Sequence, residues 1–128
     1  SQASDFEFLP TDVNLRRCQR YYFLKANYSN VNDIIGPGLY YSSSIFKAIV
    51  QFPITMRAVP SLDQTSGTDY YQIRRNSGLD NVDDFTIQDR GTTGIVLNNS
   101  SDASGTAGHA GWVRTNNASA SIAFDAEL

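Results

Sequence analysis

The stretch SIFKAIVQFPI, residues 44–54, constrains the fold more than any other part of the chain. Phe46, Ala48, Val50 and Phe52 alternate with Lys47, Ile49 and Gln51. A period of two places the first set on one face of an extended strand and the second on the other. A helix would instead space its apolar residues three and four apart. Pro53 cannot donate to a strand ladder, so it marks an edge, a bulge or the strand's end. The tail ASIAFDAEL alternates in the same way. Ile122, Phe124, Ala126 and Leu128 stand against Ser121, Asp125 and Glu127, which predicts a buried strand running to the last residue.

Other segments carry weaker versions of the same signal. CQRYYFLKANY, DYYQIRRN, FTIQD, IVLNNS and HAGWVRTN are rich in aromatic and β-branched residues and read as strands. TMRAVPSL reads as extended, because the residue before Pro60 is pushed away from helix. SNVNDIIGPG reads as a loop, with Gly36-Pro37-Gly38 as its breaker. DQTSGT reads as a turn; SGLDNVDD and SDASGTAG read as loops. Pro10, Thr11 and Asp12 are placed to start a short helical turn through Leu15–Arg17. About seven to nine short strands at sandwich-like spacing predict an all-β domain, an antiparallel β-sandwich of jelly-roll-like type. Residues 1–14 read as a lead-in segment or the stub of a preceding module. Residues 15–128 read as one domain.

Composition narrows the function classes. The formal net charge is −3, and charged residues make up 18% of the 128. A nucleic-acid partner would call for a basic face, and none is expected here. A single cysteine, Cys18, cannot close an internal disulfide, and with one histidine a structural zinc site is not expected. No apolar stretch approaches the ~20 residues of a membrane helix, so no membrane partner is expected. The opening SQASDFEFLP lacks the basic head and apolar run of a signal peptide, so export by this segment is not expected.

Three motifs occur in order: LRRCQRYY at 15–22, FPITMRAVP at 52–60 and SIAFDAEL at 121–128. Together they resemble the C-terminal domain of tailed-phage tail fibres and related virion appendages. The resemblance spans roughly residues 15–128. It implies a β-sandwich tip, often a homotrimer, that binds carbohydrate or another host receptor without catalysis. It also implies assembly with other virion proteins, synthesis in the host cytoplasm and release on lysis. No catalytic residue set and no cofactor goes with the pattern. The alternative within the same setting is a structural virion protein, a capsid-decoration or fibre-assembly domain with no glycan ligand.

Candidate site residues follow from the chemistry of sugar binding. Aromatic rings stack on the flat C–H faces of sugars while polar neighbours bind the hydroxyls. Trp112 is the sharpest candidate, with His109, Arg114 and Asn116 as neighbours after a glycine-rich loop. A tryptophan is equally at home in a core. Tyr70 and Tyr71 stand on opposite faces of one strand, which makes one core and one a candidate contact. Cys18 as a nucleophile would need a base, and nothing places His109 beside it. The expectation is a structural strand with Cys18 and one tyrosine inward and Arg20 held by a polar partner. Arg57 is expected to brace loops, and the pairs Arg16/Arg17 and Arg74/Arg75 to be solvated or salt-bridged surface. The acidic run Asp80–Asp84 with Asp89 has the ligand chemistry for Ca²⁺, but lacks EF-hand spacing and reads as a solvated loop. Asp83 and Asp84, adjacent on a strand, would face opposite ways and so make a poor glycosidase pair. Asn27, Asn98, Asn99 and Asn117 each begin an N-x-S triplet, which carries no sugar in a protein made in a bacterial cytoplasm.

Overall fold

The computed structural model describes residues 11–26, 32–76 and 78–126. Asn27, Glu127 and Leu128 lie outside the described residues. Among the described residues one helix, α1 (Thr11–Gln19), precedes ten strands: β1 (Tyr22–Ala26), β2 (Ile34–Ser42), β3 (Ile45–Gln51), β4 (Ser61–Thr65), β5 (Tyr71–Arg75), β6 (Gly78–Val82), β7 (Thr86–Gln88), β8 (Gly94–Asn99), β9 (Ala110–Thr115) and β10 (Ser121–Asp125). They form an all-β antiparallel sandwich. A sheet of three strands, ordered β1-β10-β4, covers a sheet of seven, ordered β6-β5-β9-β2-β3-β8-β7. The chain enters the small sheet at its beginning, middle and end, so β10 closes the fold between β1 and β4.

Both period-two segments form strands, though β10 ends at Asp125, short of the last residue to which it was expected to run. In β3 the residues Phe46, Ala48 and Val50 are buried, and the strand ends at Gln51, just before Phe52 and Pro53. In β10 the residues Ile122 and Phe124 are buried; so are Ser121 and Ala123, because β10 lies in the middle of its sheet. Aromatic rings fill the space between the sheets. Phe52 meets Phe124 at 5.1 Å and Phe23 at 6.2 Å, Tyr71 meets Phe85 at 5.2 Å, and Tyr40 meets Phe46 at 4.9 Å. Edge-on and tilted pairs of this kind add to what their buried area supplies.

Several elements differ from expectation. The Gly36-Pro37-Gly38 segment is no loop; it lies inside β2, between β9 and β3. A Cβ at Gly38 would stand 2.1 Å from the Lys47 carbonyl oxygen, and one at Gly36 would stand 2.4 Å from that of Ile49. These glycines let two backbones approach where a side chain would collide. Pro37 is tolerated beside a register shift between Ile34 and Gly36, where the ladder is already interrupted. SGLDNVDD likewise contains β6, paired antiparallel with β5, and DQTSGT contributes its first three residues to β4. Cys18 is exposed near the end of α1 rather than inward on a strand, and both Tyr21 and Tyr22 are exposed. Helix α1 runs through position 14/15, so the lead-in and the domain share it.

Candidate ligand-binding face

Strand β9 crosses the large sheet between β5 and β2 and turns its residues alternately in and out. Val113 and Thr115 are buried; Trp112 is 42% exposed on the outer face. Opposite Trp112 stand Arg74 on β5 and Pro37 on β2, and opposite Arg74 stands Leu79 on β6. The four residues form one row across four strands.

Beside Trp112 the sheet opens into a shallow depression of about 480 Å³. Trp112, Arg74, Arg75, Asn76, Gly108, His109 and Ala110 line it. The loop before β9 is held close to β2 by backbone bonds: Tyr40 N–H donates to the His109 carbonyl (2.9 Å) and Gly108 N–H to that of Tyr40 (2.8 Å). Gly108 has φ +86°, a conformation suited to glycine, and this turn sets His109 at the rim. Beneath the rim, the Tyr40 hydroxyl donates to buried Asp80 (2.9 Å), whose same oxygen accepts from Ser104 N–H (2.8 Å). Burial, then the bond and negative charge of Asp80, raise the Tyr40 phenol well above its ordinary range. It stays a neutral donor.

The site residues expected from sequence divide between the two ends of the β5–β9 ladder. Trp112 and His109 lie together at the end where Arg75 pairs with Gly111. Tyr70 and Asn116 lie at the other, where Asn116 N–H donates to the Tyr70 carbonyl (2.7 Å) and the Asn116 amide to that of Asp69 (3.0 Å). The four steps from Gly111 to Thr115 along an extended strand separate these ends by about 13 Å. Arg114, between them, is turned onto Gln72, donating from Nε (3.0 Å) and Nη2 (2.6 Å) to one oxygen. Tyr71 is a correction. Its ring is fully buried, and its hydroxyl faces the Ser121 carbonyl (2.8 Å) and the Thr65 carbonyl, so it ties the sheets together and presents nothing to a ligand. Arg74, expected to be surface, stands exposed beside Trp112, and only the strand register brings it there. Arg75 turns to the opposite face of the sheet, where a Cβ at Gly78 would stand 3.7 Å from its Nη2.

The three motifs LRRCQRYY, FPITMRAVP and SIAFDAEL meet at one corner. Arg57 N–H donates to the Arg20 carbonyl (2.9 Å), and its Nη1 to the Ala126 carbonyl (3.1 Å). Its guanidinium lies 5.3 Å from the Tyr21 ring centre, and Ala126 N–H donates to the Tyr21 carbonyl (2.7 Å). Phe52 and Phe124 touch just inside. The motifs form a latch that fastens the last strand to the first, and Arg57 braces it as its residue type suggested.

The acidic residues do not converge. Asp80 is inside β6, Asp83 accepts from Asp69 N–H (2.9 Å), and Asp102 accepts from Asp83 N–H (3.1 Å) and Ser101 (2.6 Å). Burial, with like charge from Asp102 and Asp83, raises the Asp84 carboxyl above its usual range. Burial also acts upward on Asp102, but hydrogen bonds from Ser101, Asn99 and Asp83 together bring it below. Among the described residues no three metal-ligating side chains come together, and no helix is long and apolar enough to cross a membrane. Compared with known proteins, the chain matches no family model, no curated protein and no solved structure.

Proposed function

We propose that this chain is a non-enzymatic receptor-binding domain of a phage virion, displayed after lysis, which holds a cell-surface polysaccharide against Trp112. The observation that carries the binding mode is the half-open Trp112 ring in a depression rimmed by arginine, asparagine and histidine. An aromatic platform with polar groups at its edge supplies stacking to a sugar face and hydrogen bonds to its hydroxyls. The virion setting rests on the resemblance of the three motifs. A shallow site of this kind binds weakly by itself, and a homotrimer would raise its avidity by presenting three copies. A glycan array probed with the purified protein and with Trp112→Ala tests the reading. Specific binding that is lost in the variant is expected. Equal binding by both proteins would remove Trp112 from the site, and no binding by the parent protein would overturn the reading.

A second reading, a structural virion domain, is favoured by a separate observation. Leu39, Tyr41 and Ile49 are exposed on β2 and β3, and with Gly38, Val96, Lys47 and Asp89 they line one shallow groove. An apolar area in the middle of a sheet face suits contact with another subunit. Light scattering on the parent protein and on Ile49→Lys tests it. A trimer that dissociates on the substitution supports a subunit contact here, and a monomer in both cases removes it.

A further inference from the structure

The outer face of the large sheet carries a second exposed aromatic ring besides Trp112. Tyr41, near the end of β2, is 67% exposed, more than any other large apolar side chain among the described residues. The register fixes its side of the sheet. Pro37 on β2 stands opposite Trp112, and Leu39 stands opposite Ala110. Alternation along β2 then puts Pro37, Leu39 and Tyr41 on the face of Trp112, with buried Tyr40 on the other. Four steps along the strand and one strand across separate the Cα atoms of Trp112 and Tyr41 by about 14 Å.

The Tyr41 ring is also held in place. The Lys47 ammonium lies over it, 5.1 Å from the ring centre. The same ammonium donates to Asn98 Oδ1 (3.1 Å) and to Gln88 Oε1, so the cation is itself fixed. A fixed cation attracts the face of a ring and pins a side chain that would otherwise swing freely. A pinned ring has less freedom to lose when a ligand arrives. Between the two rings lie exposed Leu39 and the small, exposed Ala110, which leave the floor low and apolar. Each ring has hydrogen-bonding groups beside it. Asn76 and His109 line the depression at Trp112, and Asp89 lines the groove at Tyr41.

We infer that the ligand is a linear polysaccharide held over four consecutive sugars, the first stacked on Trp112 and the fourth on Tyr41. This rests on the saccharide-binding reading above and specifies its ligand. A separation of about 14 Å spans about three steps of a chain that advances roughly 5 Å per sugar. The two middle sugars lie over Leu39 and Ala110. The two stacking contacts reinforce each other, because the second forms within a chain already held by the first.

The test measures affinity against chain length. Cellodextrins, chitin oligosaccharides, α-mannans, rhamnans and whichever glycan the array binds are prepared as ladders of two to six sugars. Each is titrated into the purified protein while the emission of its single tryptophan is followed. In the ladder that binds, the tetrasaccharide is expected to bind about tenfold or more tightly than the disaccharide, with little further gain beyond it. Tyr41→Ala should remove that gain and leave disaccharide binding unchanged. Tyr41→Phe, which keeps the ring, should keep the gain. Circular dichroism verifies that both variants are folded. Equal affinity for disaccharide and tetrasaccharide, or a gain that survives Tyr41→Ala, overturns this inference and leaves the saccharide reading at Trp112 standing. An oligomer that dissociates on Tyr41→Ala, seen by light scattering, also overturns it, because the ring then belongs to a subunit contact. Absence of binding by every ladder and by the glycan array overturns both.

Discussion

Replacing Tyr71 with phenylalanine removes one oxygen and no ring, and it separates a structural tyrosine from a ligand contact. The hydroxyl projects from β5 of the large sheet to carbonyl oxygens of Thr65 on β4 and Ser121 on β10, both in the small sheet. A phenol has one proton, and here the buried Ser121 carbonyl and the part-buried Thr65 carbonyl share it. Without it, both lose this partner. Leaving a buried acceptor short of a partner costs about 1–3 kcal/mol. For a domain of this size each kcal/mol lowers Tm by about 4 °C, so Tyr71→Phe should lower Tm by about 4–12 °C. In urea the midpoint should fall while the slope stays the same, since the surface exposed on unfolding barely changes. Glycan binding by the folded variant should be unaltered. A stability loss below about 0.5 kcal/mol would refute the role of this hydroxyl as a tie between sheets. Loss of binding with full stability would return Tyr71 to the ligand site.

Three further outcomes are expected. Gly38→Ala should destabilise by about 1–3 kcal/mol or more, because its Cβ would stand 2.1 Å from the Lys47 carbonyl oxygen and one backbone must move; urea unfolding measures it. Arg57→Ala should cost about 1 kcal/mol by the same assay, through the lost bond to Ala126 and the lost contact with Tyr21. On the alkaline side, burial holds the phenols of Tyr40 and Tyr71 above their ordinary value of 10.0. The unfolded chain therefore releases these protons first, and the stability they contribute below pH 10 is lost as pH rises past it. Each tyrosine should shift the unfolding equilibrium about tenfold per pH unit in that range, and Tyr71→Phe should lower the slope by one proton.

Strands with one buried and one exposed face were legible because period two survives in their residues, as in β3. Strand β2 was not. Its glycines lie under the carbonyls of a neighbouring strand, and Gly-Pro-Gly is also what a turn is made of. Strand β6 was hidden for a related reason. Its inward residues include Asp80, whose burial depends on a tyrosine forty positions away in sequence. At the site, Trp112 and His109 were legible because they share one segment. Arg74 was not, since nothing local gives the register that pairs it with Trp112. Tyr70 and Tyr71 drew attention by residue type, and the ladder carried them to the far end of the sheet and the core.

The most direct test of saccharide binding at Trp112 is an NMR titration of ¹⁵N-labelled protein with the best ligand from the array. The chain has one indole N–H, so a single side-chain resonance reports on the depression. That resonance should move together with the backbone signals of Arg75, Asn76, Gly108 and His109, and saturate with the same affinity. Shifts confined to Leu39, Tyr41 and Ile49, or an indole signal that stays still while the ligand binds, would contradict the assignment of the site.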